Sequence, residues 1–592
     1  MVKKQFEDNT EVEEKAKPTA QSIVDTLFKE RDSYQQSNVS QRSTFDEIYE
    51  AYVGELADNK DQSKSQEKIM KLRTEVSYIV PSIFSGQPEL EVNPIGEEDK
   101  DIAHVGEKIV NYRLSNIPQA YEKIEAWVKQ SVVFGTSVMK VLWNIELEDN
   151  EDGTKGVSKD EPDLEVMNIK DCFYNPVLAD VESQNSLIFR SVLPISEVKE
   201  NTIYDFKDET GRLNREKIEQ KGNSALTEYD SSRQVAVDKF DSTKIADGTV
   251  DIYERITCDR IQTIADAKER LVLRDIENPY GFLPAVKLVH EPNAIPNRFE
   301  GYGVGHNTIG YTKLIQKLSN RLQDAVNLGN NPHFLGRKGA GIDKRQLVIR
   351  AGGLTEVDGD GPLGEQIQPL AVPDIKNGAL TLLQRFDDEH KRASGANDLM
   401  QGSASNKTLG QDQIASTYSS NRFELINRRF KQALSDIGRI ILTMEIQNIQ
   451  SIDAPILKIF PLEAEVVDGK IEYSRETVYQ MLITARERKD LDFNIQIKGE
   501  TNIARNKDIQ IKQLVDIFNL CAPILPPQYQ MAWIRKMLEL RGIDELDKLV
   551  PDEESMQQQM QPQIDPMTGQ PIQPGMMDQS AMQPQIQQPT VL

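Results

Sequence analysis

The spacing of apolar residues divides the N-terminal part of this chain into helices. Apolar side chains repeat every three or four residues at Ile23, Val24 and Leu27, which places them on one face of a helix. Two further helical patterns follow, and the third runs into Pro81, a residue at which helices commonly end. The N-terminal region is therefore predicted to be mainly helical.

The first sheet is predicted where the spacing of apolar residues changes from a helical to a strand pattern. Helices are predicted from about Asp99 to Asn116 and from Tyr121 to Phe134, with Gly135 as a stop because glycine accepts a left-handed backbone. The next segment alternates, which predicts a half-buried strand whose apolar residues share one face. These residues are Met139, Val141, Trp143, Ile145 and Leu147. An acidic turn then leads to a partner strand near Leu164 and Val166, which predicts a hairpin.

Short strands complete an α+β region over residues 19–300. The segment QPELEVNPIG resembles a strand flanked by prolines, and TVDIYERITC and RLVLRDIENPYGFLPAVKLVHEP contain further strands. The step Asn278–Gly281 in the last of these is a turn signal. Residues 200–248 are polar and are predicted to form an irregular insertion with at most one short helix.

An unusual order of elements follows Gly301. A glycine-hinged helix stops at Asn331-Pro332. A glycine-rich insert of about forty residues follows, with one predicted strand at Gln346–Arg350, and the chain then returns to helix. The helical pattern is interrupted at SGANDLMQGSASNKTLG, and a very long helical pattern begins at Gln411. That pattern is about three times the mean helix length, so the helix is expected to pack along its whole length. The order indicates a hairpin built for assembly.

The first helix of this hairpin carries two stripes. Leu314, Leu318, Leu322 and Ala325 form an apolar stripe, and a neighbouring basic stripe is formed by Lys313, Lys317 and Arg321. The basic stripe has two interpretations: a solvated or ion-paired helix face, or a contact with passing phosphates. The loop Asn397–Gly410 is either disordered or a partner-reaching loop, and Lys407 is its only cation.

The C-terminal part is less regular. After Pro455, the runs PILKIFPL and DFNIQIKGE are strand-like, and a helical segment is predicted from about Ala504 to Glu539. From Pro551 the chain is rich in Gln, Met and Pro and is predicted to be disordered, as are the charged residues 1–18.

Composition narrows the functional classes. The net charge of −24 argues against a protein whose main task is to grip nucleic acid, since that affinity depends on Lys and Arg neutralising phosphates. The three cysteines are far apart, which indicates neither a disulfide framework nor a metal site. No apolar run is long enough to span a bilayer, and the N-terminus does not resemble a signal peptide.

The motifs that could carry chemistry are incomplete. Gly301, Gly303 and Gly305 suggest a dinucleotide fingerprint, but no glycine stands at the third position, so close packing or a hinge is the favoured interpretation. GRKGAGIDK has Ile342 where a phosphate loop needs lysine, and DGDGPLGE has Pro362 at a calcium-ligand position. The five histidines show no metal-type spacing. No catalytic residue, cofactor or metal ligand is predicted, and the chain is not expected to be an enzyme.

The order of these patterns resembles the portal proteins, the head-to-tail connectors of tailed bacteriophages, and especially those of short-tailed phages. QSVVFGTSVMKVLWN resembles the helix-to-strand segment of the portal wing, and NPYGFLPAV resembles the turn before the stem. GYGVGHNTIGYTKLIQKLSNRLQDAV resembles the first stem helix, and SGANDLMQGSASNKTLGQDQ resembles the tunnel loop before the long helix. The resemblance covers most of residues 20–545.

The resemblance implies a mainly helical α+β subunit with wing, stem, clip and long-helix crown regions. The regions it implies are a disordered segment (1–18), wing (19–300), first stem helix (301–331), clip (332–375), second stem helix (376–393), tunnel-type loop (394–410), long helix (411–453), C-terminal wing or crown (454–550) and disordered tail (551–592). Lys313, Lys317, Arg321 and Lys407 are the candidate DNA-channel or intersubunit contacts. The candidate tail-adaptor contacts in the clip are Arg337, Lys338, Lys344 and Arg345.

Such proteins form a ring, typically of twelve subunits, at one vertex of the virion and assemble in the host cytoplasm. The implied partners are other copies of the chain, the major capsid or scaffolding protein, terminase, tail adaptor or head completion proteins, and double-stranded DNA that passes without sequence specificity. No membrane partner is implied. The acidity of the chain suits a channel that repels phosphates.

Two other functions stay open at the level of sequence. The first is another virion structural protein, such as an internal core or scaffolding component, which would lack a clip insert between two helices. The second is a metal-dependent nucleic-acid enzyme, which would need clustered carboxylates.

Overall fold

The computed structural model describes most of the chain before residue 498. The described residues are 19–55, 65–84, 86, 88–94, 96, 99–149, 155–201, 204–207, 218, 249–267, 269–330, 334–336, 362, 367–369, 377–395, 409–452, 454–467, 470–487, 493–497 and 518. The chain divides into two compact units, Met1–Thr501 and Asn502–Leu592, and the second contributes only Phe518 to the described residues. The architecture below is therefore that of the first unit.

Helices dominate this unit. The described α-helices are α1 Ala20–Ser37, α2 Val39–Val53, α3 Lys71–Ile83, α4 Lys100–Asn116, α5 Ala120–Phe134, α6 Ile195–Glu200, α7 Val304–Asn330, α8 Asn377–Ser394, α9 Leu409–Asn448 and α10 Arg475–Glu487. Helix α1 begins where the Thr19 hydroxyl accepts a hydrogen bond from the Ser22 amide at 3.4 Å, a typical N-cap. Helix α3 continues through Pro81 for two residues, so the predicted stop at that proline was too early.

The strands form a five-stranded sheet, a three-stranded sheet and three strand pairs among the described residues. They are β1 Leu90–Pro94, β2 Thr136–Asp149, β3 Lys155–Met167, β4 Cys172–Phe173, β5 Leu187–Pro194, β6 Thr249–Ile256, β7 Arg260–Asp266, β8 Arg270–Glu277, β9 Ala285–Val289, β10 Phe334–Gly336, β11 Ile367–Pro369, β12 Glu465–Val467, β13 Lys470–Glu472 and β14 Phe493–Ile497. The sheet orders are β4-β5-β6-β7-β8 and β3-β2-β9, with the pairs β1-β14, β10-β11 and β12-β13. All the pairings are antiparallel. The prediction of a helix-rich α+β fold is confirmed.

The predicted hairpin is confirmed, with one deviation on its apolar face. Strands β2 and β3 pair so that Met139 lies opposite Val166 and Val141 opposite Leu164. Both Met139 and Val141 are fully buried, but Ile145 is 45% exposed. Strand β9 pairs with β2 only from Thr136 to Lys140, so the distal part of the hairpin is two strands wide.

The largest core surrounds the long helix α9. It joins the inner faces of α3, α4 and α5 to α9 and α10, with Trp127 and Phe430 among its fully buried aromatic side chains. Two smaller clusters cover the five-stranded sheet: α1 packs on one face, and α6 with Phe206 packs on the other. Of these cores, the largest includes Val304 and has Ile309 packed against it, and both residues belong to α7.

Part of the C-terminal prediction was wrong. PILKIFPL was expected to contain a strand, but Pro455–Ile459 is a 3₁₀ helix with proline in its first turn. Consecutive residues Ile456 and Leu457 are both buried, whereas a strand would send them to opposite faces. Helix α10 was not predicted, and DFNIQIKGE does contain a strand, β14.

Several predicted regions lie outside the described residues. They are residues 1–18, most of the insertion 200–248, the strand Gln346–Arg350, nearly all of the loop 394–410, the helical segment Ala504–Glu539 and the tail 551–592.

Candidate assembly site on the paired helices

Four glycines form a close crossing at the start of α7. Helix α5 ends at Gly135 with φ of +86°, a left-handed conformation that favours glycine. A Cβ atom on Gly303 would lie 2.5 Å from the backbone nitrogen of Gly135 and 2.6 Å from the carbonyl oxygen of Val132. Equivalent atoms on Gly301 and Gly305 would collide with the Glu291 carbonyl and the Ile48 side chain. The close-packing interpretation of these glycines is therefore confirmed.

His306, in the first turn of α7, packs against this crossing. Its Nδ1 accepts a hydrogen bond from the Gly303 amide at 3.2 Å, and its ring meets Phe45 and Tyr302 edge to face. Burial lowers the pKa of His306 to about 4. The neutral ring is the form that can accept from the amide, so hydrogen bonding and burial favour the same state.

Helix α7 turns polar side chains toward the body of the subunit. Thr308, Thr312, Gln316, Asn320 and Asp324 follow one another at intervals of four residues, and we call them the polar row. The first four are buried, and Asp324 is half-buried. Residues four apart lie on one helix face, so the whole row faces inward together.

The polar row holds an irregular segment, residues 65–70, which we call the strap. The Ser65 amide donates to Oδ1 of Asp324 at 2.7 Å, and the Glu67 amide donates to Oδ1 of Asn320 at 3.0 Å. Nε2 of Gln316 donates to the Glu67 carbonyl at 3.2 Å. Side chains of the row thus satisfy backbone groups that have no sheet partner.

Helix α8 lies against α7 and reaches helix α3 through two polar pairs. Nδ1 of His390 donates to Oε1 of Glu75 at 2.7 Å, and Nε2 lies 2.9 Å from Oγ1 of Thr312. His390 and Glu75 are fully buried. One turn closer to the strap, Lys71 forms an ion pair with Asp387. Both α7 and α8 are therefore attached to the body by polar contacts.

The opposite side of α7 carries an exposed leucine row. Leu314, Leu318, Leu322 and Val326 lie two positions away from members of the polar row, which rotates them by about 200° around the helix. Leu314 is 45% exposed and Val326 is 41% exposed, while Leu318 and Leu322 are half-buried. On α8, Leu380 and Leu382 are also exposed. The helix therefore buries a row of polar side chains and leaves leucines partly exposed beside Lys317 and Arg321, whereas an amphipathic helix usually buries its leucines.

This architecture has a counterpart in a known family. The model of the Phage SU10 portal protein family matches residues 20–223 and 259–454, more than half of the chain. The chain belongs to this family. Among curated proteins, none matches the chain significantly. The family is structural and not enzymatic, and its members are components of the phage virion.

Within this portal protein, the three residues of the basic stripe on α7 differ in their surroundings. Nζ of Lys313 lies 2.8 Å from Oε2 of Glu47 on α2, so this lysine has an ion-pair partner in its own chain. Lys317 and Arg321 are exposed. The other candidate contacts lie outside the described residues. They are Lys407, Arg337, Lys338, Lys344 and Arg345.

The long helix α9 of the portal protein is connected to α4 through buried charges. Arg113 on α4 pairs with Glu445 on α9, and Arg113 also donates to the Asp160 carbonyl at 3.2 Å. Burial raises the pKa of Glu445 to about 7, against the lowering effect of Arg113. Arg429 on the same helix donates to the His290 carbonyl at 2.6 Å, beside the glycine crossing. The Arg429 contact therefore connects α9 to the segment beside the glycine crossing.

Sequence reasoning found Leu314, Leu318 and Leu322 of the leucine row, with Ala325 in place of Val326, but it missed the polar row, although the four-residue spacing of that row is visible in the sequence. The described residues contain no group of three His, Cys, Asp or Glu side chains placed to hold a metal ion. They also contain no helix long and apolar enough to cross a membrane.

Proposed function

We propose that this portal-family chain is the subunit of a closed ring at one capsid vertex, through which double-stranded DNA enters during packaging and leaves during ejection. The observation that carries the proposal is the leucine row of α7, which stays partly exposed while most of the polar row is buried. Family membership supports the general role, and the partly exposed leucine row supports an apolar contact with a partner.

The partner of the leucine row is a second copy of the chain. An exposed row of leucines on α7, together with Leu380 and Leu382 on α8, gains stability when an apolar surface covers it. A ring repeats one heterologous contact until it closes, so every leucine row is covered by the neighbouring subunit. Twelve subunits are the number that the family resemblance suggests.

The charge of the chain suits a conduit. Each copy has a net charge of −24, so a ring of copies repels phosphates and lets DNA move without adhering. Lys317 and Arg321 are the described cations proposed to meet DNA or the next subunit, and Lys407 is a further candidate. Lys313 is a weaker candidate because Glu47 already neutralises it.

The ring also requires docking surfaces. The proposed partners are the major capsid or scaffolding protein, the terminase that drives packaging, and tail adaptor proteins. The segment 332–375 is the proposed clip for tail adaptors, with Arg337, Lys338, Lys344 and Arg345 as contacts. The ring would assemble in the host cytoplasm and remain at the portal vertex of the virion.

The test is ring formation by the purified full-length protein and by two matched variants. L314E places a charge in the leucine row, and I145E places the same charge on the distal β2-β3 hairpin at a site of equal exposure, 45%. Because a carboxylate is costly to bury, L314E is expected to shift the protein from rings to monomers, while I145E keeps rings. Negative-stain microscopy and native mass measurement give the readout. A wild-type protein that stays monomeric across concentration and salt, or L314E rings equal to wild type, would refute the proposal.

A further inference from the structure

The segment of residues 292–298, between β9 and the glycine crossing, has an exposed apolar tip, and we call it the apolar loop. The Ile295 side chain is 60% exposed. The Ile295 amide donates to Oδ1 of Asn293 at 2.9 Å, and two prolines further restrict the backbone. The exposed apolar residues are Pro292, Ala294, Ile295 and Pro296. Such a preformed surface binds a partner at a lower entropic cost than a flexible one.

Backbone hydrogen bonds hold the base of the apolar loop in place. The His290 amide donates to the Gly135 carbonyl at 2.9 Å. Glu291 and Tyr302 exchange two backbone hydrogen bonds, at 2.7 and 3.1 Å. The base of the apolar loop is therefore fixed beside Gly135, where α5 ends and β2 begins.

A groove of about 550 Å³ lies between α5 and the β2-β3 hairpin, and we call it the hairpin groove. Leu164 in its lining is fully buried, whereas Ala126 on α5 is exposed, so the groove has an apolar floor that opens at the helix. The apolar lining residues are Ala126, Leu142, Leu164 and Val166. The hairpin groove can therefore accept apolar side chains from a partner.

The hairpin groove and the apolar loop are complementary in charge. Nζ of Lys123 in the groove lies 2.5 Å from Oδ1 of Asp163, so these two charges neutralise each other. The other two charged lining residues are both carboxylates, Glu122 and Glu165. The apolar loop has one charged residue, the exposed Arg298. A cationic loop therefore matches a groove with surplus negative charge.

The apolar loop and the hairpin groove of one subunit lie at opposite corners of the three-stranded sheet. In the strand order β3-β2-β9, the loop follows β9 at one edge, and the groove lies beside β3 at the other edge. Along β2, Leu142 is six residues beyond Thr136, which separates the groove from the base of the loop by about 20 Å. The apolar loop therefore does not reach the groove of its own chain. Two different surfaces at opposite corners suit a heterologous contact between copies.

We infer that the apolar loop of one subunit occupies the hairpin groove of the next subunit. Ile295 packs against the leucines of the groove, and Arg298 lies beside Glu122 and Glu165. This inference rests on the ring proposed above and adds a contact separate from the leucine row. A closed ring repeats the contact, so that every groove is filled by a neighbouring loop.

Disulfide formation between co-expressed full-length chains tests the contact. One chain has Ala294→Cys in the apolar loop, and the other has Ala126→Cys in the groove. Gln480→Cys, on the exposed side of α10, replaces the groove cysteine in the control. Replacing Cys258 and Cys521 by Ser leaves only the buried Cys172 as background. In assembled rings, the groove pair is expected to form a disulfide-linked dimer about tenfold faster than the control pair, because its cysteines are neighbours.

A single chain with both Ala294→Cys and Ala126→Cys distinguishes the geometry of the contact. A contact between successive subunits gives a ladder of linked chains on a non-reducing gel, up to the size of the whole ring. An intrachain disulfide in the monomer band would overturn the inference, because the loop would then reach its own groove.

A charge exchange tests the placement of Arg298. R298E puts a carboxylate beside the carboxylates of the groove and is expected to lower the fraction of protein in rings about threefold, most strongly at low salt. E122K in the same chain is expected to restore that fraction. A ring fraction unchanged by R298E, or a loss that E122K does not restore, would contradict the placement.

The outcomes separate this inference from the proposed function. Rings in which the groove pair reacts no faster than the control pair overturn the inference and leave the ring intact. If the groove cysteine is protected from maleimide in such rings, a different segment covers the groove. A wild-type protein that forms no rings overturns the proposed function together with this contact.

Discussion

At the scale of single residues, the base of α7 requires glycines, because a Cβ atom would not fit there. Gly135 and Gly303 approach so closely that neither position has room for a side chain. The glycines that suggest a nucleotide loop in the sequence are required because two backbone segments cross here. His306 then completes the crossing with a hydrogen bond to the Gly303 amide.

Gly303→Ala is expected to destabilise the protein by about 3 kcal/mol or more, because its Cβ would meet three backbone atoms at 2.5 to 2.7 Å and backbone cannot move aside cheaply. Gly310→Ala lies seven residues later, inside helix α7, and nothing outside its own helical turn lies within 4 Å of the added Cβ, so it is expected to stabilise the protein by about 0.5–1 kcal/mol. Denaturant unfolding of both variants gives the comparison. Equal effects at the two positions would contradict the close-packing assignment.

Protonation of His306 in acid is expected to destabilise the protein. Its pKa falls from an ordinary 6.5 to about 4 in the folded chain, so the folded state binds fewer protons than the unfolded state between these values. The stabilisation is complete above pH 6.5 and is lost as the pH falls toward 4.

His306→Asn keeps an acceptor for the Gly303 amide but does not titrate. Between pH 7 and pH 4.5 it should lose about 2 kcal/mol less stability than the wild-type protein. Denaturant unfolding at both pH values measures this difference, and the exposed His104→Asn serves as control. A variant with the acid sensitivity of the wild type would show that His306 titrates normally.

At the scale of elements, helix α1 is fastened to the five-stranded sheet by one charged cluster. Glu30 accepts two hydrogen bonds from Arg255 on β6, both at 2.8 Å, and a third from the Ser186 hydroxyl at 2.8 Å. Burial alone would raise the pKa of Glu30, but these hydrogen bonds outweigh it and leave the pKa lowered. The helix thus depends on a bidentate pair as well as on its apolar face.

A double-mutant cycle on Glu30→Ala and Arg255→Ala is expected to give a coupling of about 1–2 kcal/mol, because the pair is bidentate and partly buried. The more exposed pair Lys68–Glu55, with one contact at 2.9 Å, should give less than about 1 kcal/mol. Hydrogen exchange of the α1 amides measures opening of the helix itself. A coupling no larger than that of the exposed pair would show that apolar packing alone holds α1.

At the scale of the whole molecule, the segment between α7 and α8 leaves and rejoins the two helices at neighbouring positions. The short strands β10 and β11 pair antiparallel, with Phe334 opposite Pro369, so the two ends of the segment lie side by side. A short linker can therefore join the two helices without moving them.

Replacing residues 332–375 by a short glycine-serine linker is expected to preserve folding and rings but abolish tail attachment. Circular dichroism and negative-stain microscopy test the first part, and microscopy of particles from a complemented phage tests the second. Normal tailed particles would show that the segment is not the clip. Loss of rings would instead place subunit contacts in this segment.

Much of the secondary structure could be predicted because it depends on neighbouring residues. The predicted segments 301–331, 376–393 and 411–453 nearly coincide with α7, α8 and α9. Contacts between distant segments could not be predicted. Strand β1 pairs with β14, about four hundred residues later, and only the folded core brings them together.

The sequence by itself determined the helical and strand periods, the glycine crossing as a packing feature, and the order of elements that identifies the portal family. The tertiary structure alone decided which side of α7 faces inward. Amphipathicity predicts that leucines are buried, yet here the backbone of the strap and the side chain of His390 on α8 offer hydrogen-bond partners, so the polar row turns inward. A periodic pattern states that two faces differ, and the chemistry of the neighbouring surface determines which face is covered.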